Sequence, residues 1–107
     1  MIDITPATDA SSEVTIGDNV RLRWTLDAQA DPADIMIIVL DGLGNAINSY
    51  SGPDLKEVKV ESNGERLWRY EATHVLKAIT SRIEFDLDDG VNRAVDTATL
   101  SANPKLT

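Results

Sequence analysis

The hydrophobic positions of this chain recur with a period of two. Val20, Leu22, Trp24 and Leu26 alternate with Arg21, Arg23 and Thr25, and Ile83, Phe85 and Leu87 alternate with Glu84, Asp86 and Asp88. Each run predicts a strand with one buried face. Ile35–Leu40 is apolar without interruption and short, which predicts a strand covered on both faces. Further strands are expected over residues 2–5, 13–16, 46–50 and 94–100. Between them stand the turn sequences Gly17-Asp18-Asn19, Asp41-Gly42, Ser51-Gly52-Pro53-Asp54, Asn63-Gly64 and Asp88-Asp89-Gly90. Strong turns at such short intervals favour an all-β sandwich or barrel.

Residues 57–73 read as a hairpin with two candidate registers. A two-residue Asn63-Gly64 loop sets Lys59 against Trp68 and Glu57 against Tyr70, mixing charged and aromatic side chains. A three-residue loop from Ser62 to Gly64 sets Val58 against Trp68 and Glu57 against Arg69, which sorts apolar from charged and is the register expected. Residues 74–80, with Val75, Leu76 and Ile79 apolar, fit one helical turn bridging two strands. The predicted core is Val20, Leu22, Trp24, Ile37, Val39, Val58, Trp68, Tyr70, Phe85 and Leu87.

Composition narrows the function classes. The 107 residues, 42% of them hydrophobic, make one domain spanning 1–107 with enough apolar surface for a core. Eighteen acids against ten bases give a net charge of −8, which argues against nucleic acid and against an anionic membrane as partners. The acids are unevenly placed: residues 1–54 hold nine acids and two bases, residues 55–107 nine and eight. That first portion either keeps the protein soluble or meets a basic partner. The absence of cysteine removes disulfides, thiolate metal sites and thiol catalysis together. No basic start followed by an apolar stretch opens the chain, so a protein made in the cytoplasm, or a domain excised from a longer one, is expected.

Candidate chemistry is thin. Asp86, Asp88, Asp89, Asn92 and Asp96 crowd one turn, yet Gly90 falls where a calcium loop needs a ligand and no Glu closes the series. Strand alternation accounts for Asp86 and Asp88. Trp24, Trp68 and Tyr70 fall on inward positions rather than forming a sugar platform. His74 has no nucleophile at a recognisable motif distance. Gly42-Leu43-Gly44 lacks the third glycine and the lysine of a phosphate loop. No catalytic residue, metal ligand or cofactor is expected, and so no enzyme.

The run Gly17-Asp18-Asn19-Val20-Arg21-Leu22-Arg23-Trp24 resembles the second strand of an immunoglobulin-like domain. Residues 83–87, the Asp-Asp-Gly turn and residues 94–100 resemble the terminal strand pair of that fold. The resemblance implies an antiparallel sandwich of about seven to nine strands, with a jelly roll as second choice, and puts Trp24 where many such domains carry their first cysteine. Small, acidic, cysteine-free sandwiches of this kind are similar to the decoration and accessory proteins of tailed-phage virions. That likeness implies a non-enzymatic structural role on the virion, docked on capsid or tail subunits, with a homo-oligomer allowed. The alternative is an excised extracellular adhesin or carbohydrate-binding module at a cell surface. The residues expected at a protein interface are Ile2, Ile4, Leu43, Tyr50 and Leu106.

Overall fold

The computed structural model describes residues 2–6 and 14–104. Among them, eight strands form two antiparallel sheets. In chain order they are β1 (Ile2–Pro6), β2 (Asn19–Leu26), β3 (Ile35–Leu40), β4 (Ala46–Ser51), β5 (Lys56–Ser62), β6 (Glu65–Val75), β7 (Thr80–Asp88) and β8 (Arg93–Ser101), with short 3₁₀ turns at Pro32–Asp34 and Gly52–Asp54. One sheet runs β1-β2-β6-β5 and the other β4-β3-β7-β8. Successive strands pair as hairpins, and each hairpin belongs to the sheet opposite the one before it. Two antiparallel sheets of four strands each make the expected all-β sandwich.

The alternating strands supply the core. Val20, Leu22 and Trp24 of β2, Tyr70 and Ala72 of β6, Ile35, Ile37 and Val39 of β3, and Ile83 and Phe85 of β7 are all buried. Trp24 meets Phe85 across the sheets with ring centroids 5.8 Å apart. Its indole N–H donates to Asp96 Oδ2 of β8 at 2.9 Å, so the largest core side chain keeps its polar atom satisfied at the rim. Tyr70 reaches out of the core to the β2–β3 connection, where its hydroxyl donates to the Ala30 carbonyl at 2.7 Å. Trp68 and Leu87 are half-buried against this core.

Four expectations are corrected. The β5–β6 hairpin takes the two-residue loop, with Ser62 opposite Glu65, Lys59 opposite Trp68 and Glu57 opposite Tyr70. Asn63 and Gly64 both have positive φ, 51° and 80°, the pairing of a type I′ turn, whose twist matches that of the flanking strands. Turn geometry outweighs charge sorting here, because Lys59 stands exposed on an edge strand and avoids burial. Val58 accordingly faces Arg69 on the outer side instead of joining the core.

Residues 76–79 form no helical turn. Their backbone is taken by other partners: Leu76 N–H donates to the Asp18 carbonyl at 2.9 Å, and the Ala102 N–H donates to the Ile79 carbonyl at 2.7 Å. Around Thr15 there is a single parallel bridge to Asn103 in place of a strand, and Glu13 lies outside the described residues. Finally, β3 is covered on one face only: Ile35, Ile37 and Val39 are buried while Met36 is 43% exposed. A fully apolar strand signals two covered faces in parallel sheets. Here both sheets are antiparallel, and the outward residues of β3 are less buried than the inward ones, Met36 being exposed and Ile38 and Leu40 half-buried.

Candidate interaction surface

Residues opposite one another in a sheet share a face, so the register of the second sheet gives its outer surface directly. One rung reads Ser51, Met36, Asp86, Val95; the next Ser49, Ile38, Glu84, Thr97; the third Ala46, Leu40, Arg82, Thr99. Down the middle runs an apolar row, Met36-Ile38-Leu40. On the β4 side it is bordered by Ser49, Ser51 and Ala46, too short to cover it. On the β7 side it is bordered by charges. Met36 and Val95 are 43% and 50% exposed, and Ile38 and Leu40 are half-buried by their neighbours.

The rim of this row is predominantly acidic. A shallow hollow of about 200 Å³ at the Met36 end is lined by Ala33, Asp34, Ile35, Met36, Ser51, Asp86 and Asp88. Asp86 is clasped by Arg93 through two hydrogen bonds of 3.2 and 2.7 Å. The same carboxylate holds the Arg93 guanidinium above its ordinary pKa. Arg82 and Glu84 stand 3.6 Å apart further along β7, an exposed pair of little energetic weight.

The five residues expected at an interface fall in different environments. Ile2 and Ile4 lie in β1, opposite Trp24 and Leu22, and pack partly buried against the core. Leu43 stands 89% exposed at the β3–β4 turn, where Asp41 accepts the backbone N–H groups of Leu43 and Asn45, each at 2.9 Å. Chiefly the Asn45 bond lowers the Asp41 pKa. Tyr50 is on the inner rung with Ile37 and Phe85, and Leu106 lies outside the described residues. Sequence reasoning missed Met36, Ile38 and Leu40, although the uninterrupted apolar run was the signal.

The acidic cluster near Gly90 is dispersed. Asp88 and Asp89 fold back on their own turn, Asp88 accepting from Gly90 N–H and Asp89 from Val91 and Asn92 N–H. The Asn92 bond, then the Val91 bond, holds the Asp89 carboxyl below its ordinary pKa. Asp86 pairs outward with Arg93 and Asp96 inward with Trp24, so the carboxylates point to different sides of the sheet. Among the described residues no three metal-ligating side chains converge.

Between the sheets, His74 is 1% exposed and shares its Nδ1 with the Tyr50 hydroxyl at 2.7 Å, the ring planes standing edge to face. Asn48 donates to the same hydroxyl at 3.0 Å, which turns the hydroxyl proton toward His74. His74 Nε2 finds no protein partner among the described residues. Burial, with Lys77 adding to it, depresses the imidazole pKa, while burial raises that of Tyr50. This cluster joins β4 of one sheet to β6 of the other and so ties the two sheets together. No family model, curated protein or solved structure matches the chain, so its surface is read from its own chemistry.

Proposed function

We propose that this chain is a non-enzymatic docking protein working through the outer face of the β4-β3-β7-β8 sheet. The setting we propose for it is the one the sequence resemblance implies, an accessory subunit assembled onto the capsid or tail of a tailed-phage particle. The observation that carries the docking reading is the Met36-Ile38-Leu40 row. Three large aliphatic side chains in register on an outward sheet face forgo about 25 cal/mol for every Å² left in water. A contiguous apolar strip with a polar rim is the ordinary anatomy of a protein contact surface. The short side chains of β4 leave the strip open from one side, and the acids of its rim favour a partner carrying Lys or Arg at matching positions.

The test is binding to purified particles that lack this protein. Wild-type protein is expected to bind saturably, and Met36→Lys and Ile38→Lys to lose binding while keeping the wild-type melting temperature. Unaltered binding by both variants overturns the assignment of the face. Wild-type protein that ignores the particles but binds a defined glycan overturns the virion setting in favour of a surface carbohydrate module.

A further inference from the structure

The edge of a sheet is a row of unpaired backbone N–H and C=O groups, and folded proteins blunt such rows against pairing with another chain. Among the described residues, three of the four sheet edges are blunted. β1 is five residues long and ends on Pro6, which has no N–H to offer. β4 is bulged against β3, the pairing shifting between Val39 and Leu40. β5 carries Lys56, Glu57, Lys59 and Glu61 along its length. The fourth edge, β8, has none of these devices. Its nine residues pair one for one with β7, from Arg93 opposite Asp88 to Ser101 opposite Thr80, with no shift. It holds no proline, glycine or lysine, and the β-branched Val95, Thr97 and Thr99 follow one another along its outward side. Its two charges are turned to their own molecule: Arg93 clasps Asp86, and Asp96 accepts from the Trp24 N–H. Residues 93–97 are all exposed, and among the described residues no strand lies beyond β8. The chain is engaged again past the strand, where Asn103 bridges Thr15.

We propose that β8 is a pairing edge and that its occupant is the β8 strand of a second copy, antiparallel about a two-fold axis through Thr97. The contact is separate from the Met36-Ile38-Leu40 face and does not rest on how that face is read. An edge is satisfied by any extended backbone, and the side chains then decide which one. Here they are self-complementary. Thr97 is the midpoint of Arg93–Ser101, so an axis there pairs all nine residues. On the outward side Val95 meets Thr99 of the second copy, Thr97 meets its own equivalent and Arg93 meets Ser101. On the inward side Ala94 meets Leu100 and Asp96 meets Ala98. β-branched side chains thus oppose one another, and no charge stands opposite a like charge. An axis through Asp96 instead sets that carboxylate against itself, and any shift from Thr97 loses paired residues. The contact is isologous and closes at two copies, joining the two β4-β3-β7-β8 sheets into one of eight strands. Both Met36-Ile38-Leu40 rows then face the same way, about 24 Å apart at the usual strand spacing. A strip about 30 Å long and one strand spacing wide is small beside the roughly 800 Å² per partner of a stable complex, so the dimer is reversible and concentration-dependent.

Sedimentation velocity across a concentration series tests this with wild type, Thr97→Lys and Thr97→Glu. Thr97 is exposed, and melting temperatures confirm that both variants fold. Wild-type protein is expected to pass from monomer to dimer with concentration and to stop there. Each variant sets like charges directly opposite one another across the axis and should raise the dimer dissociation constant by about tenfold. An equimolar mixture of the two should restore the dimer, because lysine then faces glutamate. The chain has no cysteine, so Thr97→Cys gives a second readout. Mild oxidation should link it into a disulfide dimer, whereas Val91→Cys, away from the axis, should stay unlinked. Wild-type protein that remains monomeric throughout refutes the pairing. So do variants that associate as wild type does, which place the contact elsewhere. A mixture no tighter than either variant alone refutes the axis through Thr97, and growth beyond two copies refutes closure through β8.

Discussion

Replacing Trp24 by alanine is the sharpest probe of the core. Trp24 is 1% exposed, packs at a tilt against Phe85 from the opposite sheet, and anchors its indole nitrogen on Asp96. A buried tryptophan removes about 200 Å² from water. At about 25 cal/mol per Å² that is about 5 kcal/mol, of which the alanine methyl retains about 0.8. Because Asp96 is exposed, its carboxylate rehydrates when the indole is gone and adds little to the loss. The expected destabilisation is therefore about 4 kcal/mol, within the range for large aromatic truncations. In a domain of this size that lowers the melting temperature by on the order of 20 °C. Trp24→Phe separates the contributions: it keeps a ring against Phe85, loses the bond to Asp96, and should cost about 1–2 kcal/mol. Urea unfolding followed by the fluorescence of Trp68 measures both. Refutation is simple to state: a Trp24→Ala variant that melts within a degree or two of the parent means that Trp24 does not sit where the two sheets meet.

Two further outcomes are expected. The folded-state pKa of His74 lies below its ordinary value near 6.5, so the unfolded chain takes up a proton first as pH falls. The contribution of neutral His74 is complete above about pH 6.5 and is lost between there and the folded pKa; Tyr50, bonded to its Nδ1, and Lys77 are the titratable groups that act on it. Chemical denaturation from pH 7.5 to 5 should show a smaller acid loss in His74→Leu than in wild type, and equal slopes would contradict the assignment. Gly64→Ala places a side chain at φ 80° and should destabilise by about 1 kcal/mol, whereas a neutral result would mean the type I′ turn is not the one formed.

What was legible in the sequence follows one physical rule: strands whose two faces differ announce themselves. β2 and β7 alternate cleanly because one side meets the core and the other meets water, and their inward residues are buried, except Leu26 and Leu87 toward the strand ends, which are half-buried. The strand β3 misled because its outward face is as apolar as its inward one. Periodicity cannot tell a face covered by its own chain from one left outward, and that ambiguity hid the candidate surface. The hairpin register misled for a different reason. Sorting charged from apolar residues works where both faces have firm environments, but Lys59 stands opposite Trp68 at the margin of the core, exposed on an edge strand where its charge stays in water. Tyr50, placed by its neighbouring turn at a rim, is instead drawn inward by His74, a partner 24 residues away that no local pattern reveals.

The alternation of hairpins between the sheets has a consequence for how the molecule is divided. The turn Gly52–Asp54 separates β1 to β4 from β5 to β8, and each half contributes one hairpin to each sheet. The two central joins, β2 to β6 and β3 to β7, both run between halves. Neither half therefore owns a sheet, and no lasting core exists until the halves embrace. Folding has to close long loops before it gains their contacts, which places this small protein among slow, all-or-none folders. A chain cut within that turn becomes two peptides that are each incomplete and mutually complementary, so the sandwich is in effect a heterodimer that happens to be encoded as one chain.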